Sequence, residues 1–203
     1  IDVIQEEATE DIEKMAAIAP SDKPYIKTSV FETWRKRVPW LLFLMISATF
    51  TSGIIISYED ALAANLVLSS FIPMLMDTGG NSGSQSSTTI IRGLSLGEIR
   101  YIDVPRVIFK ESAVAMLCGL TLAVTNFGKL MLIDHVSMLI AAVVCFTLVV
   151  VVLVSNVVGG TLPILAKRLG FDPTVMASPL ITTIVDAVAL IIYFNIAKLL
   201  LGI

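Results

Sequence analysis

An aspartate inside a membrane-length apolar run constrains this chain more than any other feature. Asp186 lies within residues 175–201, a stretch long enough to cross a bilayer. An ionisable side chain at the bilayer centre costs about 3 kcal/mol on insertion scales, so such groups nearly always face water, a partner or an ion. Asp186 follows the start of the run by about eleven residues, which at a rise of about 1.5 Å per residue places it about 16 Å deep. We therefore expect Asp186 to have a function near mid-membrane.

Polar groups share a helical face with this aspartate. Ser178, Thr182 and Asp186 follow one another at intervals of four residues, a spacing that puts them on one side of a helix. Pro179 has no amide hydrogen and is predicted to leave the carbonyl of Val175 without its helical partner. Carboxylate, hydroxyl and carbonyl oxygens are the ligands that Mg²⁺ and Ca²⁺ prefer. The stripe therefore predicts a site for a hard cation.

The composition indicates a single integral membrane domain. Of 203 residues, 56% are hydrophobic and 15% are charged, whereas about a quarter of the residues in soluble proteins are charged. The two cysteines lie in apolar runs without a CxxC pairing and predict packed hydrophobic groups rather than a redox site. The chain begins at Ile1 without an initiator methionine or a signal-peptide pattern, so we expect a piece of a longer protein.

The hydropathy pattern predicts an all-α membrane fold with five transmembrane helices. The predicted spans are 39–58, 61–92, 112–133, 136–165 and 175–201. Residues 1–20 predict an amphipathic helix, 21–38 a cytosolic linker, and 39–203 the membrane domain. Lys and Arg are concentrated before the first span and in the connections after spans two and four. Because such residues favour the cytosolic side, we expect a multi-pass protein of the cell membrane, with a cytosolic N-terminus and an extracytosolic C-terminus.

The N-terminal helix carries an acidic face. Its carboxylates include Glu6, Glu7, Glu10 and Asp11. One interpretation is a solvated surface, which is common for charged helix faces. The other is a sensor surface for divalent cations that takes part in gating.

The second span is too polar for a helix that faces lipid. It contains Asp77, Gly80, Asn81, Gly83 and Gln85. Irregular backbone exposed to lipid is forbidden, so this segment must be enclosed by protein or line water. Asn81 and Gln85 are four residues apart and are predicted to point the same way. The segment therefore predicts a pore lining, although glycines also serve plain helix packing and Asp77 also suits a structural hydrogen-bond acceptor.

Several motifs together resemble the transmembrane domain of the MgtE magnesium channel family. They are residues 73–85 (PMLMDTGGNSGSQ), 90–93 (IIRG), 172–173 (DP) and 178–186 (SPLITTIVD). Residues 7–12 (EATEDI) resemble the junction between a CBS-domain pair and the connecting plug helix of those proteins. The resemblance implies a homodimer with a pore on its two-fold axis, in which the aspartate at Asp186 binds hydrated Mg²⁺. It also implies a cytosolic sensor with CBS domains that acts through the plug helix, and it includes no role for Asp77.

The resulting hypothesis is a channel that moves Mg²⁺ into the cytosol through an aspartate-lined pore. We expect two copies of Asp186 to hold the largely hydrated ion through water, with Thr182 and Asn81 as outer partners. Neither an enzymatic activity nor a nucleic-acid partner is expected. A carrier that exchanges Mg²⁺ for Na⁺ or H⁺ remains an alternative, because membrane carboxylates also relay protons. Two others are an intramembrane aspartyl protease, which lacks its GxGD context here, and a scaffold whose polar groups only pack helices.

Overall fold

The fold is helical throughout the described part of the chain. A computed structural model describes residues 2–21 and 23–202, with side chains given except at 2–6 and 64. The α-helices are α1 (Asp2–Met15), α2 (Val30–Ser57), α3 (Glu59–Ala64), α4 (Ile72–Ser95), α5 (Val104–Leu132), α6 (Met138–Arg168) and α7 (Ser178–Leu201). Short 3-10 turns lie at Tyr25–Lys27, Leu66–Phe71, Tyr101–Asp103 and Pro173–Met176. No strand occurs among these residues, which confirms the all-α class for that part of the chain.

Four helices in the described ranges are long and apolar enough to cross a bilayer, namely α2, α5, α6 and α7. Five spans were predicted, and the remaining one corresponds to α4. With 24 residues, α4 is about 36 Å long at the usual helical rise, so its length suffices to cross a membrane. Its polar stretch around Asn81 and Gln85 makes it unsuitable for contact with lipid.

The second predicted span, 61–92, is not one continuous helix. Helix α3 ends at Ala64, the turn Leu66–Phe71 follows, and α4 begins only at Ile72. Pro73 lies in the first turn of α4, where its missing amide hydrogen costs nothing because first-turn amides have no helical partner. The backbone amide of Ile72 donates to the carbonyl of Ser69. The carbonyl of Ser69 is therefore paired, although Pro73, four residues later, has no amide hydrogen to offer it.

Two membrane helices begin well before their predicted starts at residues 39 and 112. Helix α2 begins at Val30, where the hydroxyl of Ser29 accepts a hydrogen bond from the amide of Glu32 at 3.2 Å. Helix α5 begins at Val104 and has a proline in its first turn. Capping groups and first-turn prolines fix where a helix starts, whereas hydropathy only indicates where its apolar part starts. Each helix therefore extends beyond its apolar segment through charged residues.

Helix α6 is the centre of the bundle. It packs against α4, α5 and α7, and α4 also packs against α7. Half of the most apolar stretch of α6 is buried, compared with 6% in α2, which packs mainly against α7. A helix that is apolar on every side is suited to a position surrounded by others. The polar helix α4 therefore lies against α6, whose apolar stretch has the highest mean hydropathy of the four membrane-length helices.

A buried hydrogen bond fixes α7 relative to the entry of α4. The hydroxyl of Tyr193, on α7, is fully buried and donates to the carbonyl of Leu68 at 2.9 Å. Leu68 belongs to the turn that immediately precedes α4. Since a buried carbonyl left unpaired costs about 1–3 kcal/mol, this bond helps to hold the start of α4 beside α7.

Candidate functional site

Helices α4 and α7 lie side by side and run in opposite directions. Gly80 of α4 lies against Thr182 of α7, while Ser87, farther along α4, donates from its hydroxyl to the carbonyl of Met176 at 2.7 Å. The contacts thus move forward along α4 as they move backward towards the start of α7. This arrangement brings the polar stripe of α7 next to the glycine-rich part of α4.

Two glycines make the close approach possible. A Cβ atom on Gly80 would lie 3.0 Å from the Cγ2 atom of Thr182. A Cβ atom on Gly83 would lie 2.9 Å from the Cγ2 atom of Ile181 and 3.1 Å from the carbonyl oxygen of Ser155. Small residues allow helix backbones to approach closely in membranes, so both positions serve helix packing.

A cavity of about 420 Å³ lies on this α4–α7 seam. It is lined by Ile72, Pro73, Met76, Asp77, Gly80, Asn81, Thr182 and Asp186. Five residues predicted from the sequence, on two segments about a hundred positions apart in the chain, thus meet around one space: Asp77, Gly80, Asn81, Thr182 and Asp186. Asp77 and Asn81 are exposed in the single chain and Asp186 is half-buried.

The cavity is negatively charged. Asp77 is close enough to Asp186 for their charges to repel each other, and none of the ion pairs in the described part of the chain involves either residue. Within that same part, no three His, Cys, Asp or Glu side chains converge to hold a metal. A single chain therefore presents two carboxylates without cationic partners, a set that a positive ion would stabilise.

Thr182 supplies a hydroxyl oxygen to the cavity wall. Its hydroxyl donates to the carbonyl of Pro179 at 3.0 Å, and Thr183 donates to the same carbonyl at 2.9 Å. With its hydrogen engaged in this bond, the Thr182 oxygen keeps its lone pairs for a water molecule or a cation.

The start of α7 differs from the sequence-based expectation. The helix begins at Ser178 with Pro179 in its first turn, and Val175 lies in the preceding 3-10 turn. No helical hydrogen bond to Val175 is lost through Pro179, so the prediction of a carbonyl freed within a helix is wrong. Asp186 lies eight residues after the start of α7, which is about 12 Å by helical rise.

Four other predicted pore residues do not line this cavity, and one of them, Pro179, lies in the first turn of α7. The hydroxyl of Ser178 is within 3.2 Å of the Ser84 hydroxyl on the exposed part of the α4–α7 seam. Gly83 is buried in the helix interface. Gln85 lines a separate, larger cavity of about 1190 Å³ between α4, α5 and α6. Of the predicted pair Asn81 and Gln85, only Asn81 borders both spaces.

The acidic N-terminal helix docks beside the turn that leads into α7. Lys14 pairs with Glu10 at 2.6 Å and with Asp172 at 2.7 Å. Burial alone would raise the pKa of Asp172, but hydrogen bonds from Lys14 and Thr174 outweigh it and hold that pKa below its usual value. Burial, and then the charge of Asp172, raise the pKa of Asp11.

Of the four acidic residues predicted for gating, Glu10 and Asp11 thus lie close to Asp172. Glu7 is exposed, and the side chain of Glu6 lies outside the described residues. Part of the acidic face of α1, namely Glu10 and Asp11, therefore lies near the turn that precedes α7.

The sequence-based interpretation missed a buried glutamate. Glu111 lies in α5, is 8% exposed and borders the larger cavity. It was placed outside the membrane because the third span was predicted to begin at residue 112. The available sequence signal was that Glu111 shares a four-residue spacing with the small or apolar residues Val107, Ala115, Gly119 and Ala123, a pattern typical of a helix face turned inward. All five positions are buried.

Comparison with known proteins agrees with these features. A model of the MgtE family, described as divalent cation transporters, matches residues 72–196. Proteins named magnesium transporter MgtE from Thermus thermophilus, Bacillus subtilis and Enterococcus faecalis are 40%, 34% and 30% identical to this chain. The matches cover 99%, 97% and 98% of the chain but only 44%, 43% and 43% of those relatives. The chain therefore belongs to the MgtE family of divalent cation transporters.

Proposed function

We propose that this chain forms the membrane pathway of a Mg²⁺ channel in which Asp186 attracts the ion. The observation that carries the proposal is the cavity between α4 and α7, where Asp186 and Asp77 lie without a cationic partner among the described ion pairs. A carboxylate at membrane depth is nearly always answered by water, a partner or an ion. Membership of a divalent cation transporter family supports a divalent ion as that partner.

The lining suits an ion that keeps its water. Mg²⁺ gives up water reluctantly and is usually bound through one or two carboxylates and several waters. Six waters occupy about 180 Å³ at their liquid volume, well within the 420 Å³ of the cavity. Asn81 and Thr182 offer amide and hydroxyl oxygens to such waters. We expect the ion to be held largely hydrated, so that the site distinguishes ions by the size of the hydrated species.

A second copy of the chain completes the site in this proposal. One chain supplies only two carboxylates to the cavity, and Asp77 and Asn81 are exposed in the single chain. A two-fold axis beside α4 and α7 would bring two copies of Asp186 to one ion and cover the exposed polar stripe. The bilayer forms the remaining surroundings, since the outer faces of α2 and α5 carry many exposed apolar side chains.

The proposed direction of transport is into the cytosol, with the N-terminus on the cytosolic side. A divalent ion that falls through 100 mV gains about 4.6 kcal/mol, twice the value for a single charge, so transport needs no ATP. The docking of α1 against the turn that precedes α7 supports a gating role for α1. The relatives are more than twice as long as this chain. We propose that α1 interacts with a cytosolic sensor region of such a longer protein.

The first test is Asp186→Asn, which removes the charge and keeps the shape of the side chain. We expect Mg²⁺ uptake into liposomes to fall by at least about tenfold, because the central charge that attracts the ion is lost. The matched control is Asp60→Asn, the same change at an exposed residue of α3, which should leave uptake unchanged. Wild-type uptake by the Asp186→Asn protein would refute the proposed role. Conductance of single molecules in planar bilayers would distinguish a channel from a coupled carrier.

A further inference from the structure

Glu111 is a buried carboxylate that the proposed ion pathway does not yet use. It lies in α5, one of the helices long and apolar enough to cross a membrane, and is 8% exposed. The hydrogen bond that it accepts from the Nδ2 atom of Asn156 is long, at 3.5 Å. None of the ion pairs among the described residues involves Glu111. A buried charge with so little compensation is costly unless an ion or water answers it.

The surrounding helices are shaped to accommodate this side chain. A Cβ atom on Gly160 would lie 3.0 Å from the Cγ atom of Glu111 and 3.1 Å from the hydroxyl oxygen of Ser86. Asn156, one turn earlier on α6, is 5% exposed. The glycine leaves the space that the stem of Glu111 occupies, so the glutamate and the face of α6 fit each other.

The same group of residues connects α5 to α4 through α6. Asn156 donates to Glu111, and its own Oδ1 atom accepts a hydrogen bond from the hydroxyl of Ser82. The hydroxyl of Ser86 donates to the backbone carbonyl of Asn156 at 2.9 Å. These hydrogen bonds join side chains of α4, α5 and α6 into one polar network. The carboxylate of Glu111 is the acidic member of that network.

Glu111 and Asn156 border the larger cavity, and this space adjoins the Asp186 cavity. Asp77 and Asn81 line both of them. The larger cavity has a volume of about 1190 Å³, several times the roughly 180 Å³ of six waters. A hydrated ion beside Asp77 and Asn81 therefore has room to enter the larger space.

The charges along the larger cavity are unevenly distributed. The end where α4 finishes and α5 begins carries the basic residues Arg92, Arg106 and Lys110 and the acidic residues Glu98 and Asp103, whereas Asp77 lies towards the other end. Arg106 pairs with Asp103 at 3.4 Å. Three basic and two acidic residues give that end a net charge of +1, so a cation is attracted less strongly there than beside Asp77, on the side of the first cavity. A cation reaches Glu111 most easily by passing Asp77 and Asn81.

We propose that Glu111 binds a hydrated divalent cation in the cavity between α4, α5 and α6, as a second site beside the Asp186 cavity. This inference rests on the proposed function, since it assigns the transported ion to the second site. One carboxylate with amide and hydroxyl neighbours is the kind of ligand set that Mg²⁺ uses when it keeps several waters. The site stores an ion next to the pathway and raises the local ion concentration at Asp77 and Asn81.

A native cysteine allows a direct test of occupancy. Cys118 is exposed and lines the same cavity, seven residues after Glu111 on α5 and about 10 Å away along the helix. A nitroxide spin label is attached to Cys118 of the whole chain in nanodiscs, with Cys145 replaced by alanine. Mn²⁺ serves as the paramagnetic divalent probe. We expect Mn²⁺ to broaden the nitroxide spectrum, and Mg²⁺ to reverse the broadening by competition.

The variants distinguish the two sites. Glu111→Gln should weaken the apparent Mn²⁺ affinity at the label by about tenfold or more, an effect typical for the loss of one partner at a metal site. Glu111→Asp should keep much of the binding because the charge remains. Glu98→Gln, at the mouth of the cavity, and Asp186→Asn should each leave the Mn²⁺ midpoint within about twofold.

Two outcomes would overturn the second site. One is an absence of Mn²⁺ broadening at Cys118 in a chain that retains Glu111, a result that does not depend on how Glu111→Gln folds. The other is a loss of broadening in Asp186→Asn together with an unchanged Mn²⁺ midpoint in a folded Glu111→Gln protein. Neither outcome touches the proposed Mg²⁺ pathway, which fails only if Asp186→Asn retains wild-type uptake.

Discussion

Gly83 has no side chain, and its small size lets α4, α6 and α7 pack closely at this position. We predict that Gly83→Ala destabilises the chain by about 1–3 kcal/mol, the usual cost of overpacking a core. The added Cβ atom would lie 2.9 Å from buried Ile181 and 3.1 Å from the carbonyl oxygen of Ser155, and neither can move freely. The melting temperature in detergent should fall by several degrees, at about 2–4 °C per kcal/mol for a chain of this size.

The matched control is Gly128→Ala on α5, where an added Cβ atom meets nothing within 4 Å. Alanine is the better helix former by up to about 1 kcal/mol, so this variant should melt at the same or a slightly higher temperature. Equal melting temperatures for both variants would mean that the contact at Gly83 is not tight.

At the residue scale, spacing predicted which side chains share a helical face but not the space that each one meets, since Ser178 shares a face with Thr182 and Asp186 but does not line their cavity. Asp186, Thr182 and Asn81 were all expected at the site, and all three line the same cavity. Gln85 was expected to accompany Asn81, yet it borders only the larger cavity. Four residues advance a helix by about 400°, which leaves a drift of about 40° per step. Which cavity a side chain reaches after that rotation depends on the positions of the neighbouring helices. Those positions cannot be read from the local sequence.

Helix α1 and the turn before α7 form an electrostatic contact whose sign can be tested. Asp172→Asn removes the charge that pairs with Lys14 but keeps an oxygen that can accept from Thr174. We predict faster amide hydrogen exchange in α1, by a factor of a few, as is usual for partly exposed ion pairs. Asp11→Asn should have the opposite effect and slow exchange in α1, because the charge of Asp172 and burial both disfavour an ionised Asp11.

The pH dependence follows from the same pKa shifts. The pKa of Asp172 is lowered from 3.8, so its stabilising contribution is present above that pH and is lost as the pH falls through the docked value. The pKa of Asp11 is raised from 3.8, so its unfavourable contribution grows as the pH rises from there. The exchange rate of α1 amides in each variant is divided by the rate in the unmodified chain, at neutral and at acidic pH, after correction for intrinsic rates. As the pH rises, this ratio should increase for Asp172→Asn and decrease for Asp11→Asn. The same trend in both variants would contradict this account.

At the element scale, hydropathy located the apolar part of each helix but not where the helix stops or breaks. The first and third membrane helices begin at Val30 and Val104, because a serine cap and a first-turn proline decide those starts. The break between α3 and α4 at Leu66–Phe71 was missed. Its prediction would have required knowing that Leu68 accepts a hydrogen bond from Tyr193, a residue 125 positions later in the chain.

For the whole molecule, the fold class followed from composition, whereas the way in which α4 is enclosed did not. A helix with Asp77, Asn81 and Gln85 cannot face lipid, and in one chain α6 and α7 cover only part of it. Asn81 remains exposed on the side where the two cavities meet. In the proposed dimer, a second copy of the chain faces this side, encloses the polar residues of α4 and completes the proposed ion site.

The proposed dimer predicts that two copies of Asn81 lie across the proposed ion pathway from each other. In a chain without the native cysteines, Asn81→Cys should give a cross-linked dimer in membranes with a short bis-maleimide. An oxidant alone should work poorly, because a disulfide needs Cα atoms within about 7 Å and a hydrated ion holds the copies farther apart. Val124→Cys is the control, since Val124 is 74% exposed and lines neither of the two cavities. If Val124→Cys cross-links and Asn81→Cys does not, the two-fold axis lies elsewhere, and the exposed stripe of α4 must be covered by something other than its own copy.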